Sequence, residues 1–101
     1  MDRLAHALKF CQDNPINFGY IYVVQCHKFV KVGVASNVQQ RLGSLQIGNP
    51  YRLVLLKVIK SHTPFELENM IHNGLHKYRR DGEWFELPDK VLELLLKSFP
   101  D

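Results

Sequence analysis

The sequence predicts an α/β fold of the α+β kind, in which a small three-stranded, mostly antiparallel sheet is flanked by helices. Three observations predict it. Two short β-rich runs, residues 19–25 and 29–34, are separated by only Cys26-His27-Lys28, which reads as a hairpin. A third run, residues 51–60, is apolar on both faces, as in a strand covered on both sides. Around these lie segments of helical period, each with its own start or stop signal.

The elements follow in order. Residues 4–10 carry apolar side chains at roughly helical spacing after Asp2, and predict an N-terminal helix over residues 2–12 that Asn14-Pro15 ends. The hairpin comes next. If its loop holds an even number of residues, directly paired positions sum to an odd number. Tyr22 and Lys31 then share one face, and Ile21, Val23, Val30, Val32 and Val34 form an aliphatic opposite face. Ser36-Asn37 is a good N-cap pair for a helix carrying Val38, Leu42 and Leu45, which Gly48-Asn49-Pro50 stops. The third strand places Leu53, Leu55 and Ile59 on one side and Val54, Leu56 and Val58 on the other, and so should be central. With Pro64 at its first position, a helix is expected to run to about Tyr78, burying Leu67, Ile71, Leu75 and Tyr78. Arg79-Arg80-Asp81-Gly82 reads as a turn, residues 83–87 as a short extended piece, and residues 88–99 as a last amphipathic helix.

Length and composition narrow the function classes. The chain has 101 residues, room for one domain with one modest core, expected here as a central part of about residues 18–87 with a helix added at each end. A hydrophobic fraction of 46% with 23% charged residues argues against general disorder. The net charge of +3 permits a polyanionic partner without requiring one. No run is long enough to span a bilayer and no secretory leader is evident, so a soluble, cytoplasmic protein without membrane partners is expected. Cys11 and Cys26 fit no zinc-ligand spacing and are read as buried thiols.

Several polar residues stand where a purely structural reading has no use for them. Glu68, His72 and His76 fall at i, i+4 and i+8 along the long helix, beside its apolar stripe. Arg41 lies early on the middle helix, and Tyr22 and Lys31 oppose the aliphatic core of the hairpin. Glu83, with Trp84 and Phe85, reads first as an anchor for the last helix.

Tyr20-Ile21-Tyr22 followed closely by Lys31-Val32-Gly33 resembles the paired tripeptides of the GIY-YIG nuclease superfamily. The segment from Gly33 through Arg41 to Pro50 resembles the stretch that carries that family's arginine. Glu68 and His72, then Gly82-Glu83-Trp84-Phe85, are similar to a compact phage and bacterial branch with lysine in place of the second tyrosine. The resemblance spans about residues 18–87. It implies a divalent-metal-dependent endonuclease acting on DNA, with RNA the less favoured substrate and a homodimer or helper protein as a further partner. Tyr22 would activate or position the attacking water, Arg41 would hold the scissile phosphate, and Glu68 would bind one Mg²⁺ or Mn²⁺. Lys31 would assist the base or bind phosphate, and His72 would move a proton or hydrogen-bond the phosphate. Tyr20, Gly33, Asn37 and His76 would line the substrate.

These roles make physical sense. A phenol, with a pKa of about 10, is a poor base at neutral pH, and a cation on the same sheet face favours its ionised form. Arginine offers paired donors that match phosphate oxygens. A carboxylate is a hard ligand for an ion that keeps most of its waters. Two rival readings remain: a module of the same fold that binds DNA or a protein without cutting, and a zinc protein using His72 and His76. The second lacks the glutamate of a zinc peptidase between its histidines, and no third ligand is evident.

Overall fold

The computed structural model describes residues 19–99; the helix expected over residues 2–12 lies outside the described residues. Strand β1 (Gly19–Cys26) and strand β2 (Phe29–Ala35) form the hairpin, joined by His27 and Lys28 alone. His27 sits at φ 56°, the left-handed conformation that a two-residue turn demands. The loop is thus even, and the register is the odd-sum one: Tyr22 pairs with Gly33, Val23 with Val32, and Val24 with Lys31.

Helix α1 (Val38–Gln46) follows, its first turn capped by Asn37, whose side-chain oxygen accepts from the Gln40 amide at 3.0 Å. Strand β3 (Val54–Ser61) then pairs antiparallel with β1. Helix α2 (Pro64–Gly74) gives way to a single 3₁₀ turn (His76–Tyr78). A second small hairpin, strand β4 (Arg79–Asp81) and strand β5 (Trp84–Phe85), turns at Gly82 (φ 56°) and Glu83. Helix α3 (Asp89–Lys97) closes the described chain.

The sheet therefore has five strands, in the order β3-β1-β2-β5-β4, where the sequence pattern predicts three. The two extra pairings come from the segment read as a turn and an extended piece. Its strands are two and three residues long, too short to leave a period in the sequence.

β3 is an edge strand among the described residues, not a central one, and Val54, Leu55 and Val58 are exposed. The pairing with β1 shifts between Val23 and Val24, so that Leu56 is an extra residue opposite them. That bulge brings Leu56 to the core beside Ile59, although strict alternation would separate the two.

The core lies on the aliphatic face of the sheet. Ile21, Val23, Val30, Val32, Ile59 and Phe85 meet Ile71 and Leu75, at and just beyond the end of α2, and Leu95 of α3. The stripe expected on the long helix is present, with Leu67 and Tyr78 half-buried against the same cluster. The opposite face, with Tyr22, Val24, Lys31 and Trp84, is the one that carries polar chemistry.

Candidate active site

The polar face is built around one contact. Tyr22 is fully buried, and its ring crosses the sheet over Gly33: a Cβ added at Gly33 would meet Tyr22 Cζ at 2.6 Å. Only glycine allows the phenol to lie there. The Tyr22 hydroxyl is the one buried side-chain polar atom, among the described residues, with no partner in good hydrogen-bond geometry.

The group that comes to it is Arg41, from the first turn of α1. Hydrogen bonding and then charge interaction with Tyr22 hold the Arg41 guanidinium above its ordinary pKa, with a smaller contribution in the same direction from Glu83. Loss of hydration opposes these effects. Since no well-directed bond joins the two, we read the contact as close but loose. Beside it, Ser36, Asn37, Gln40, Arg41 and Ser44 line a polar cleft of about 410 Å³. The Asn37 oxygen belongs to the helix cap, which leaves its amide nitrogen as the group able to face a ligand.

Lys31 is 8% exposed, and its ammonium donates to Glu83 Oε2 at 2.5 Å. The same nitrogen lies 5.6 Å from the centre of the Trp84 ring. The cation brought against the Tyr22 hydroxyl is Arg41. Lys31 instead ties β2 to the turn before β5.

α2 packs on the core side, yet its polar edge reaches the site. β5 is so short that it pairs only with Val30 and Lys31, which leaves the edge of β2 open beyond them. There His72, 9% exposed, donates from Nε2 to the Val32 carbonyl at 2.8 Å. The carbonyl can only accept, so Nε2 carries the proton and Nδ1 is the nitrogen left over. One turn earlier, Glu68 is close enough to sense both Glu83 and Lys31. Burial first, and then repulsion from Glu83, push its pKa above the ordinary carboxylate value, while His72 and Lys31 pull it down.

The structure therefore gathers Tyr22, Gly33, Lys31, Arg41, Glu68 and His72, with Tyr20 at the start of the same face of β1. His76 is not gathered with them. α2 ends at Gly74, so His76 lies exposed in the 3₁₀ turn and the i, i+4, i+8 stack of Glu68, His72 and His76 does not form. The zinc pairing of His72 with His76 loses its shared helix for the same reason. Glu83 is the member that sequence reasoning underrates: it bonds Lys31 and acts on both Glu68 and Arg41. Its signal is its place in the Gly82-Glu83-Trp84-Phe85 motif, where the two aromatics suggest an anchor for the last helix before they suggest a contact to the site.

A family model described as the T5orf172 domain matches residues 19–99. The chain belongs to the T5orf172 domain family. The match opens with the first residue of β1 and runs past the end of α3, so every gathered site residue falls inside the T5orf172 domain. The family occurs in phage-like and nuclease-associated proteins and is related to nuclease folds. No curated protein and no solved structure matches the chain. Among the described residues no helix is long and apolar enough to cross a membrane, and no three His, Cys, Asp or Glu side chains converge as a ready-made metal cage.

Proposed function

We propose that this T5orf172 domain is a divalent-metal-dependent DNA endonuclease of the GIY-YIG type. The observation that carries the reading is the Tyr22 hydroxyl, buried across Gly33 without a well-formed partner and met by the Arg41 guanidinium. A phenol and a guanidinium brought together beside a polar cleft suit a phosphodiester and its attacking water. Arg41 holds the phosphate through paired donors and offsets the charge that grows in the transition state. Tyr22 positions the attacking water and, once ionised, takes its proton. Lys31 adds positive charge from the neighbouring strand, while Glu83 keeps its ammonium in place. His72, fixed through Nε2, presents Nδ1 as an acceptor for a proton released near the cut. Tyr20, Gly33 and Asn37 line the substrate path, and the exposed His76 meets a phosphate of the strand further out.

The donor set fits one Mg²⁺ or Mn²⁺. Glu68 is a hard carboxylate set beside a second one, Glu83, and repulsion between them is relieved by a cation. One carboxylate suffices for an ion that keeps several waters, so the lack of a three-residue cage is compatible with it. Glu68 would hold the ion, whose chemistry is to polarise the phosphoryl group and stabilise the leaving oxygen.

The test is cleavage of supercoiled plasmid in Mg²⁺, in Mn²⁺ and in EDTA, with Glu68→Gln and Arg41→Ala beside the unmodified protein. Metal-dependent nicking lost in both variants is expected. Absence of cutting on plasmid, branched and single-stranded DNA with either metal would sink the enzyme reading. A second reading, a module that binds DNA without cutting it, is favoured by the engagement of Lys31 with Glu83. Retained binding without cutting in the same assay selects it.

A further inference from the structure

A groove of about 380 Å³ lies on the same face of the sheet as Tyr22 and Lys31, toward the tip of the β1–β2 hairpin. Cys26, Phe29, Asn49, Arg80, Asp81 and Trp84 line it. The register places it. Lys31 pairs with Val24 on one side and with Trp84 on the other, and Phe29 pairs with Cys26 two rungs further along. Paired residues and residues two apart share a face, so Tyr22, Lys31, Trp84, Phe29 and Cys26 all look the same way. From the Tyr22 rung to the Cys26 rung is four residues, or about 13 Å. Lys31 stands between, reaching Glu83 with its ammonium and lying over the Trp84 ring.

The chemistry of the lining selects the occupant. The walls are an indole and a phenyl ring, both half-buried rather than packed away. Cations flank them, Lys31 at the inner end and Arg80 at the mouth, where Arg80 donates through Nε to Glu86 at 3.0 Å. Asp81 is the one acid on the lining. The Asn49 side chain, anchored by the Tyr51 amide donating to its oxygen at 3.0 Å, adds a hydrogen-bonding edge. Aromatic surface between cations, running on from a phosphate-binding centre, is what an unstacked nucleobase takes. An apolar peptide side chain would use the rings alone, whereas a nucleotide also offers its phosphate to the exposed Arg80 and Lys28, the latter lying over the Phe29 ring at 5.4 Å.

We infer that the Phe29–Trp84 groove receives one nucleobase of a single-stranded or locally opened DNA, flipped out beside the phosphate held at Arg41. The inference rests on the nucleic-acid reading above and names the form of substrate that reading leaves open. A base paired in a duplex is stacked on both sides and cannot present its face to Trp84. The site therefore prefers DNA that is already single-stranded, mismatched or frayed next to the cut.

Trp84 is the chain's one tryptophan, so its fluorescence reports on this groove alone. The experiment titrates the full chain, in EDTA so that nothing is cut, with a short oligothymidylate strand and with an abasic strand of equal length. Quenching of Trp84 by the thymidine strand, with binding about tenfold tighter than to the abasic one, is expected. Trp84→Leu should weaken the thymidine strand by about the same factor and leave the abasic strand unchanged, and Trp84→Phe should restore binding. Equal binding of the two strands, or no change in emission at saturation, would overturn the inference, and this comparison needs no variant. Emission that follows protein concentration without DNA, with a dimer mass by light scattering, would assign the groove to a second copy and overturn it equally. The plasmid assay separates the two claims: cutting without base-dependent quenching removes only the groove, and quenching without cutting removes only the enzyme.

Discussion

Tyr22 carries a buried hydroxyl that no neighbour satisfies well, and such a group costs about 1–3 kcal/mol of stability. Removing the oxygen should therefore help the fold and harm the chemistry. We expect Tyr22→Phe to unfold at higher denaturant concentration than the unmodified protein while its cutting rate falls to background. A less stable variant, or one that still cuts, would show that the hydroxyl serves packing. Glu68 makes a second residue-scale prediction. Its pKa is raised in the fold, chiefly by burial and then by Glu83, so the folded state holds this proton more tightly than the unfolded chain does. Stability then falls as pH rises from the ordinary carboxylate pKa through the raised one, and the loss persists above it. Metal-free protein and its Glu68→Gln variant, unfolded by denaturant at a series of pH values, should differ by this slope. Parallel curves would refute it. At this scale the sequence was legible where residue type and chemistry coincide, as at Tyr22, Arg41 and Glu68. Glu83 was not, because its role depends on a turn that carries it back to Lys31, 52 positions away.

Periodicity made the larger elements readable. The hairpin register followed from parity once the loop was even, α1 from its cap and apolar stripe, and α3 from its amphipathic pattern alone. β3 misled because its apolar residues occupy both sides of an edge strand, where Val54, Leu55 and Val58 stay exposed. Its bulge at Leu56 cannot be seen without the partner strand. The expected helix through Tyr78 was a continuation of an apolar stripe that a 3₁₀ turn preserves, with Leu75 and Tyr78 still on the core. β5 depends on its pairing with β2, and the Lys31–Glu83 ion pair helps hold it there. Glu83→Gln would leave the nearly buried Lys31 ammonium without its charged partner. We expect about 1–3 kcal/mol of destabilisation by denaturant unfolding. Combined with Lys31→Met, the loss should be clearly smaller than the sum of the two single changes. Additive losses would mean that the pair does not couple the strands.

Across the whole molecule, the candidate site draws on β1, β2, α1, α2 and the turn between β4 and β5. No short stretch contains it, which explains why single motifs were weak and their combined order informative. The T5orf172 match over residues 19–99 covers that same assembly. The hairpin at its centre has a kinetic consequence. β1 and β2 are joined by two residues, so closing their loop costs little chain entropy, and the equally short turn between β4 and β5 joins strands of three and two residues that make far fewer ladder bonds. β3 and β5 must travel from much further along the chain to reach either flank. The central pair should form first and serve as the template on which the flanks dock. Pulsed hydrogen exchange during refolding is expected to protect the amides of β1 and β2 before those of β3 and β5. Tyr22 and Lys31 are then in place early, while Arg41, Glu68 and Glu83 arrive late, so a chain caught halfway through folding holds only part of the candidate site.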